Sequence, residues 1–279
     1  MIENARQKLI FALDVDQFEE AEHFVKLLHD KVGMFKVGKQ LFTRCGPEVI
    51  HMIKGEGGDV FLDLKYHDIP NTVAMACLEA DRLGVGMFNV HALGGREMMK
   101  TAAEAVRNRC IAEKRQMPLM LAVTILTSST EETLREIGIE HSVEEMVVRL
   151  ARLAQESGFG GVVASPREIG LIREACGSDF AIVTPGVRPA TASADDQKRV
   201  TTPADAIAAG ADYLVVGRPI AKAQDPVAAA ESLAELDGLL DELTRLNNQV
   251  SLVATLALIG EDEVLKLTRT GRGSMKGWA

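Results

Sequence analysis

The chain holds only four cysteines (Cys45, Cys77, Cys110 and Cys176), with no C-x-x-C pair among them. That spacing offers neither a zinc signature nor a disulfide framework; it fits free thiols, mostly buried, in a reducing cytoplasm. No G-x-G-x-x-G follows the first apolar run, which lowers the dinucleotide-binding reading. No stretch reaches the roughly 18 uninterrupted apolar residues of a membrane helix. The opening MIENARQKLIFALD has no long apolar core ahead of a cleavage site. The expectation is a cytoplasmic protein with no membrane partner. Positive charge is also short: 31 Lys and Arg against 40 Asp and Glu give a net charge of -9 and a pI near 5.3. Broad binding of nucleic acid or an anionic membrane is therefore disfavoured. One small phosphorylated ligand remains possible, because a few arginines and helix N-termini suffice to hold it.

Hydrophobic residues make up 47% of the 279, enough for a sizeable core in a globular enzyme. Short β-rich apolar runs recur: Leu9–Leu13, Met34–Val37, Val60–Leu64, Met87–His91, Leu119–Ile125, Gly161–Ala164, Ala181–Thr184 and Tyr213–Val216. Between them, stretches such as Phe18–His29, Pro70–Leu83, Gly95–Asn108 and Val143–Ser157 carry helical spacing. Near-continuous hydrophobic strands alternating with helices imply a parallel sheet covered on both faces. Eight such units in about 240 residues fit a closed (β/α)8 TIM barrel, an α/β fold, better than an open doubly wound sheet. The barrel is expected over 1–236. Residues 237–279 read as a C-terminal extension, helical by the spacing of Leu239, Leu240, Leu243 and Leu246, with an apolar stretch at Val250–Ile259.

The most informative string is DLKYHDIPNT, Asp63 to Thr72, directly after the apolar Val60-Phe61-Leu62. Unpaired charges are costly to bury, so Asp63, Lys65 and Asp68 at a buried strand's end need a reason. Asp63 and Lys65 lie two apart and on an extended strand would share a face. Pro70 stops regular pairing. A structural salt bridge would explain Asp63 and Lys65 alone. Polar residues, however, end most of the other strands: Asp14, Lys36, His91, Thr127, Pro185-Gly186-Val187-Arg188 and Gly217-Arg218. Barrel active sites form at this C-terminal rim, with phosphate usually held after strands seven and eight. TPGVRP and VVGRPI supply glycine turns and the forked donors of Arg188 and Arg218, the latter ahead of a helix from Ala221 onward. Ala190–Thr202, with Gln197, reads as a lid or as an ordinary solvated loop. His91 suits a structural or supporting role better than direct catalysis, and the direction of His67 is open.

With FALDVD, MFKVGKQLF, FLDLKYHDIPNTV, NVHALGG, VTILTS, TPGVRP, DDQKRV and VVGRPI in place, residues 8–235 resemble the orotidine 5′-phosphate decarboxylase family. A shorter D-x-K-x-x-D is shared with sugar-phosphate relatives such as 3-keto-L-gulonate 6-phosphate decarboxylase and hexulose-6-phosphate synthase. The resemblance implies conversion of orotidine 5′-phosphate to UMP and CO2 in de novo pyrimidine synthesis, without metal or cofactor. It implies a charged network of Lys36, Asp63, Lys65 and Asp68, with Lys65 as proton donor. Asp14 and Lys36 would bind the ribose hydroxyls and Thr127 would meet the pyrimidine. Pro185, Arg188, Gln197, Gly217 and Arg218 would surround base and phosphate. Asp68, Ile69 and Thr72 would reach the neighbouring site of a homodimer. The extension beyond Leu236 departs from the family pattern. Two alternatives stand beside this: a metal-dependent sugar-phosphate decarboxylase or aldolase of the same superfamily, and a non-catalytic nucleotide-binding barrel.

Overall fold

The computed structural model describes residues 6–187 and 201–235. The strands are β1 (Leu9–Ala12), β2 (Met34–Gly38), β3 (Val60–Tyr66), β4 (Met87–His91), β5 (Leu119–Val123), β6 (Gly161–Val163), β7 (Ala181–Pro185) and β8 (Tyr213–Val216). Each pairs in parallel with its sequence neighbour, and β8 pairs with β1 to close the barrel. The helices between them are α1 (Phe18–Leu28), α2 (Lys39–Cys45), α3 (Glu48–Gly55), α4 (Pro70–Arg82), α5 (Gly95–Glu113), α6 (Glu131–Glu136), α7 (Val143–Glu156), α8 (Ile169–Cys176), α9 (Pro203–Ala208) and α10 (Arg218–Ala221).

The period of two along each strand sorts side chains into two cores. Ile10, Phe61, Leu121 and Val183, one from each odd-numbered strand, pack inside the barrel with Ala12, Met87 and Val215. Filling by side chains from alternate strands makes this a packed interior rather than a pore. Their sequence neighbours, such as Phe11, Phe35, Leu62, Phe88 and Ile182, face outward into the helix layer. There Phe11 meets Phe24 at 5.3 Å and Phe35 at 6.3 Å between ring centroids. Helix α1 shows why the layer forms: Ala21, Phe24, Val25 and Leu28 recur at three- and four-residue steps and are all buried. Gly161 is required where β6 meets β7, since a Cβ there would lie 2.3 Å from the Ala181 carbonyl oxygen.

Local chemistry fixes the helix starts. Ser142 and Glu145 form a reciprocal capping box before α7, and Pro70 opens α4, where its missing N–H has no partner to lose. The expected strands recur within two residues at either end. The largest differences are β3, which runs on to Tyr66, and β5, which ends at Val123 rather than Ile125. The helix expected from Ala221 onward instead takes its first turn at Arg218, with Gly217 as N-cap and Pro219 inside that turn. The C-terminal extension expected at 237–279 lies outside the described residues. No helix among them is long and apolar enough to cross a membrane.

Candidate active site

Along β2 and β3 the inward-facing register that carries Met34 and Phe61 at mid-barrel delivers Lys36 and Asp63 at the C-terminal end. Lys36 Nζ donates to Asp14 Oδ1 at 2.9 Å and lies 3.7 Å from Asp63 Oδ2. Lys65 Nζ donates to the other Asp63 oxygen, Oδ1, at 2.5 Å. Asp63 thus sits between two ammonium groups, with its side chain only 13% exposed. Burial pushes its carboxyl up, but the charges of Lys65 and Lys36 and hydrogen bonds from Lys65 and Asn89 outweigh burial. The carboxyl is held below its ordinary value and is ionised at neutral pH.

These groups open onto a cleft of about 320 Å³ at the C-terminal mouth of the barrel. Its floor is apolar, from Phe61, Val123, Val163 and Val215; its rim is polar. Asp14, Lys36, Asp63 and Lys65 line one side, and Thr127, Pro185, Gly217 and Arg218 complete the lining. Most of the residues expected in the site, from six separate strand ends, therefore meet in one cavity. Gly217 has a packing reason: a Cβ there would come within 3.2 Å of the Ala12 side chain, and 3.6 Å from an Asp14 oxygen, on the cleft wall.

Asp68, Ile69 and Thr72 do not line this cleft. Asp68 is exposed and accepts the Ile69 N–H at 2.6 Å, Ile69 is 67% exposed, and Thr72 is exposed on the first turn of α4. Arg188 and Gln197, with most of the expected lid, lie outside the described residues.

Lys65 reaches the site by a different route from an extended strand. Its φ is +52°, left-handed, which is uncommon for a residue with a long side chain. The β3–β4 register explains this: Leu62 pairs with Phe88 and Tyr66 pairs with Val90, so three β3 residues face the single Asn89. A bulge of this kind re-aims a side chain beside a site. Sequence reading missed Asn89, a polar residue inside the apolar MFNVH run that is 0% exposed. The signal was available, since a buried amide needs partners. His91, two residues on, lies 5.6 Å from His67 between ring centroids. Burial, then the charges of His67, Lys39 and Lys65, push its imidazole down to about 4. It is neutral at pH 7, as suits a supporting residue rather than a cation.

Among known proteins, the family model described as "Orotidine 5'-phosphate decarboxylase / HUMPS family" matches residues 7–233. An orotidine 5′-phosphate decarboxylase of Syntrophotalea carbinolica is 66% identical over 235 residues, covering 84% of this chain and 96% of the relative. One of Geobacter sulfurreducens is 64% identical over 233 residues, covering 84% and 97%. A crystal structure of orotidine 5′-phosphate decarboxylase from Lactobacillus acidophilus superposes with a TM-score of 0.72 at 39% identity, covering 82% of this chain and 98% of that one. With this match spanning the whole barrel, the chain belongs to the orotidine 5′-phosphate decarboxylase / HUMPS family.

Proposed function

We infer that the chain is a carboxy-lyase that converts orotidine 5′-phosphate to UMP and carbon dioxide, with Lys65 as the proton donor. The observation that carries the reading is the partly buried Lys36–Asp63–Lys65 array at the mouth of a cleft that Arg218 also lines. When the bond from C6 to the carboxylate breaks, its electron pair stays on C6, with no adjacent electron sink. Lys65 offers a fixed positive charge to that developing carbanion and then a proton, which forms the new C6–H bond. Asp63 holds Lys65 as an ammonium and, being ionised, faces the departing carboxylate with like charge. Asp14 and Lys36 take the ribose hydroxyls, Thr127 and Pro185 the base, and Arg218 the phosphate, with Gly217 leaving room for it. Arg188 and Gln197 belong to the same binding set by sequence. Binding energy from the phosphate, remote from C6, stabilises the transition state.

The reading calls for no cofactor and no metal: Asp14 and Asp63 are already engaged by ammonium groups, which would compete with a dication. Asp68, Ile69 and Thr72 are exposed and do not line the cleft of their own chain, in keeping with donation to the neighbouring site of a homodimer. Four free cysteines suit a cytoplasmic setting in pyrimidine synthesis.

The test is the loss of orotidylate absorbance on adding EDTA-treated protein, with UMP identified as product, alongside Lys65→Ala. Rapid metal-free conversion by the native protein, nearly abolished in a folded Lys65→Ala, is the expected result. Binding of UMP without turnover would establish a non-catalytic barrel instead, and activity only with magnesium would establish the sugar-phosphate alternative. Substantial turnover by Lys65→Ala would remove Lys65 from its role.

A further inference from the structure

The pairing of β3 with β4 leaves a gap in the backbone ladder. Between Leu62–Phe88 and Tyr66–Val90, the backbone of Lys65 lies opposite Asn89 and donates its N–H to the Asn89 side chain, Oδ1, at 2.8 Å. The same amide donates from Nδ2 to Asp63 Oδ1 at 2.7 Å. Asp63 Oδ1 is also the oxygen that receives Lys65 Nζ. One amide therefore closes a ring through the backbone of the proton donor, its ammonium and the carboxylate that aims it.

The geometry points to Asn89 as a positioning residue for decarboxylation, holding Lys65 in its left-handed backbone conformation and orienting Asp63 against the Lys65 ammonium. This rests on the reading of Lys65 as proton donor. The chemistry of the ring selects an amide. The Lys65 N–H can only donate, and an ionised Asp63 can only accept, so the residue between them must offer one acceptor and one donor in a fork. Aspartate would offer two acceptors and set a like charge beside Asp63. Leucine, of similar size, would offer neither and strand a buried N–H. Asn89 is fully buried and lies below the cleft lining, so it bears on the ligand only through its two neighbours. Non-glycine residues at positive φ persist where their surroundings over-determine them; here the determinant is a side chain on the next strand.

The test compares Asn89→Leu, Asn89→Asp and Lys65→Ala with the native protein, measuring kcat, KM, UMP affinity and thermal midpoint. Misplacing a reacting group by about 1 Å costs on the order of 100-fold in rate. Asn89→Leu is therefore expected to lose kcat by about that factor while UMP affinity, set by the ribose and phosphate contacts, is kept. Asn89→Asp retains polarity and the acceptor for Lys65 N–H, so it serves if the leucine variant does not fold; it should lose kcat in the same way. A folded Asn89 variant with native kcat would overturn the inference. So would a loss of UMP affinity equal to the loss of kcat, which marks a plain structural residue. If Lys65→Ala itself turned over substrate, the Lys65 reading would fall and this inference with it. A dead Lys65→Ala beside fully active Asn89 variants would overturn only the role of Asn89.

Discussion

Glu168 offers a sharp test of how burial sets the pH dependence of this barrel. It ends the 3₁₀ turn Pro166–Glu168 that follows β6, is 9% exposed, and accepts the Ser165 N–H through Oε2 at 2.7 Å. Burial pushes its carboxyl up. The Ser165 N–H opposes that, the charge of Glu144 adds to it, and the balance is about 7 against an ordinary 4.5. The folded state therefore holds a proton on Glu168 that the unfolded chain has released between these two values. Its contribution is fully present below the unfolded value and is lost as pH rises through the folded one. With about 1.4 kcal/mol per unit, the loss across that window is about 3 kcal/mol. Glu168→Gln keeps a carbonyl oxygen for the Ser165 N–H and cannot ionise. Urea unfolding of both proteins from pH 5 to pH 9 reads the effect, and all other titrating groups cancel in the difference. Between pH 5 and pH 9 the glutamine variant should gain on the native protein by about 2–3 kcal/mol, most of it by pH 7. A difference that is flat with pH, or that favours the native protein at pH 9, would refute the reasoning.

Two further outcomes follow from named contacts. Arg115→Met should destabilise the fold by about 2–3 kcal/mol in urea unfolding, because it abandons a buried carboxylate. Asp81 is 3% exposed and engages both terminal nitrogens of Arg115, one of them at 2.6 Å. The figure stays below the full cost because Arg109 remains 3.9 Å away and Arg115 is a third exposed. No measurable loss would show that Arg109 or water replaces the partner. Arg218→Ala should weaken UMP binding by about 10- to 100-fold, the value of a charge-assisted hydrogen bond, while leaving uridine binding unchanged. Calorimetry with the two ligands decides it, and an equal loss for uridine would refute the phosphate assignment.

The barrel was legible because its strands are long enough and apolar enough to show themselves against amphipathic helices. The helix faces follow the same logic, as Ala21, Phe24, Val25 and Leu28 show on α1. The lining of the candidate cleft was legible for a related reason. Asp14, Lys36, Asp63, Thr127 and Arg218 are polar residues that interrupt or end apolar runs, and a barrel brings every strand's C-terminal end to one rim. Element ends near proline and glycine were less legible. At 217–221 the helix turn starts on Arg218, because Gly217 serves as N-cap and Pro219 is favoured in a first turn.

Lys65 is the instructive case, since the sequence argument reached the correct neighbour through the wrong conformation. Period-two parity places Asp63 and Lys65 on one side of an extended strand, and the two side chains do meet. Yet Lys65 itself is not extended: at φ +52° it leaves the pleat, and parity no longer governs where its side chain points. What governs it is the register with β4, where a single residue faces three of β3. No pattern within DLKYHD encodes that register, because it arises from contacts 24 and 26 positions along the chain, at Asn89. The cue lies instead in NVH, where one amide sits in an otherwise apolar strand and has to be satisfied by something across the sheet. Lys36, in the regular pleat of β2, needs no such partner to aim it. The aim of Lys65 is thus a tertiary property carried by β4, and it should fail by substitution on β4 while both charges of β3 remain in place.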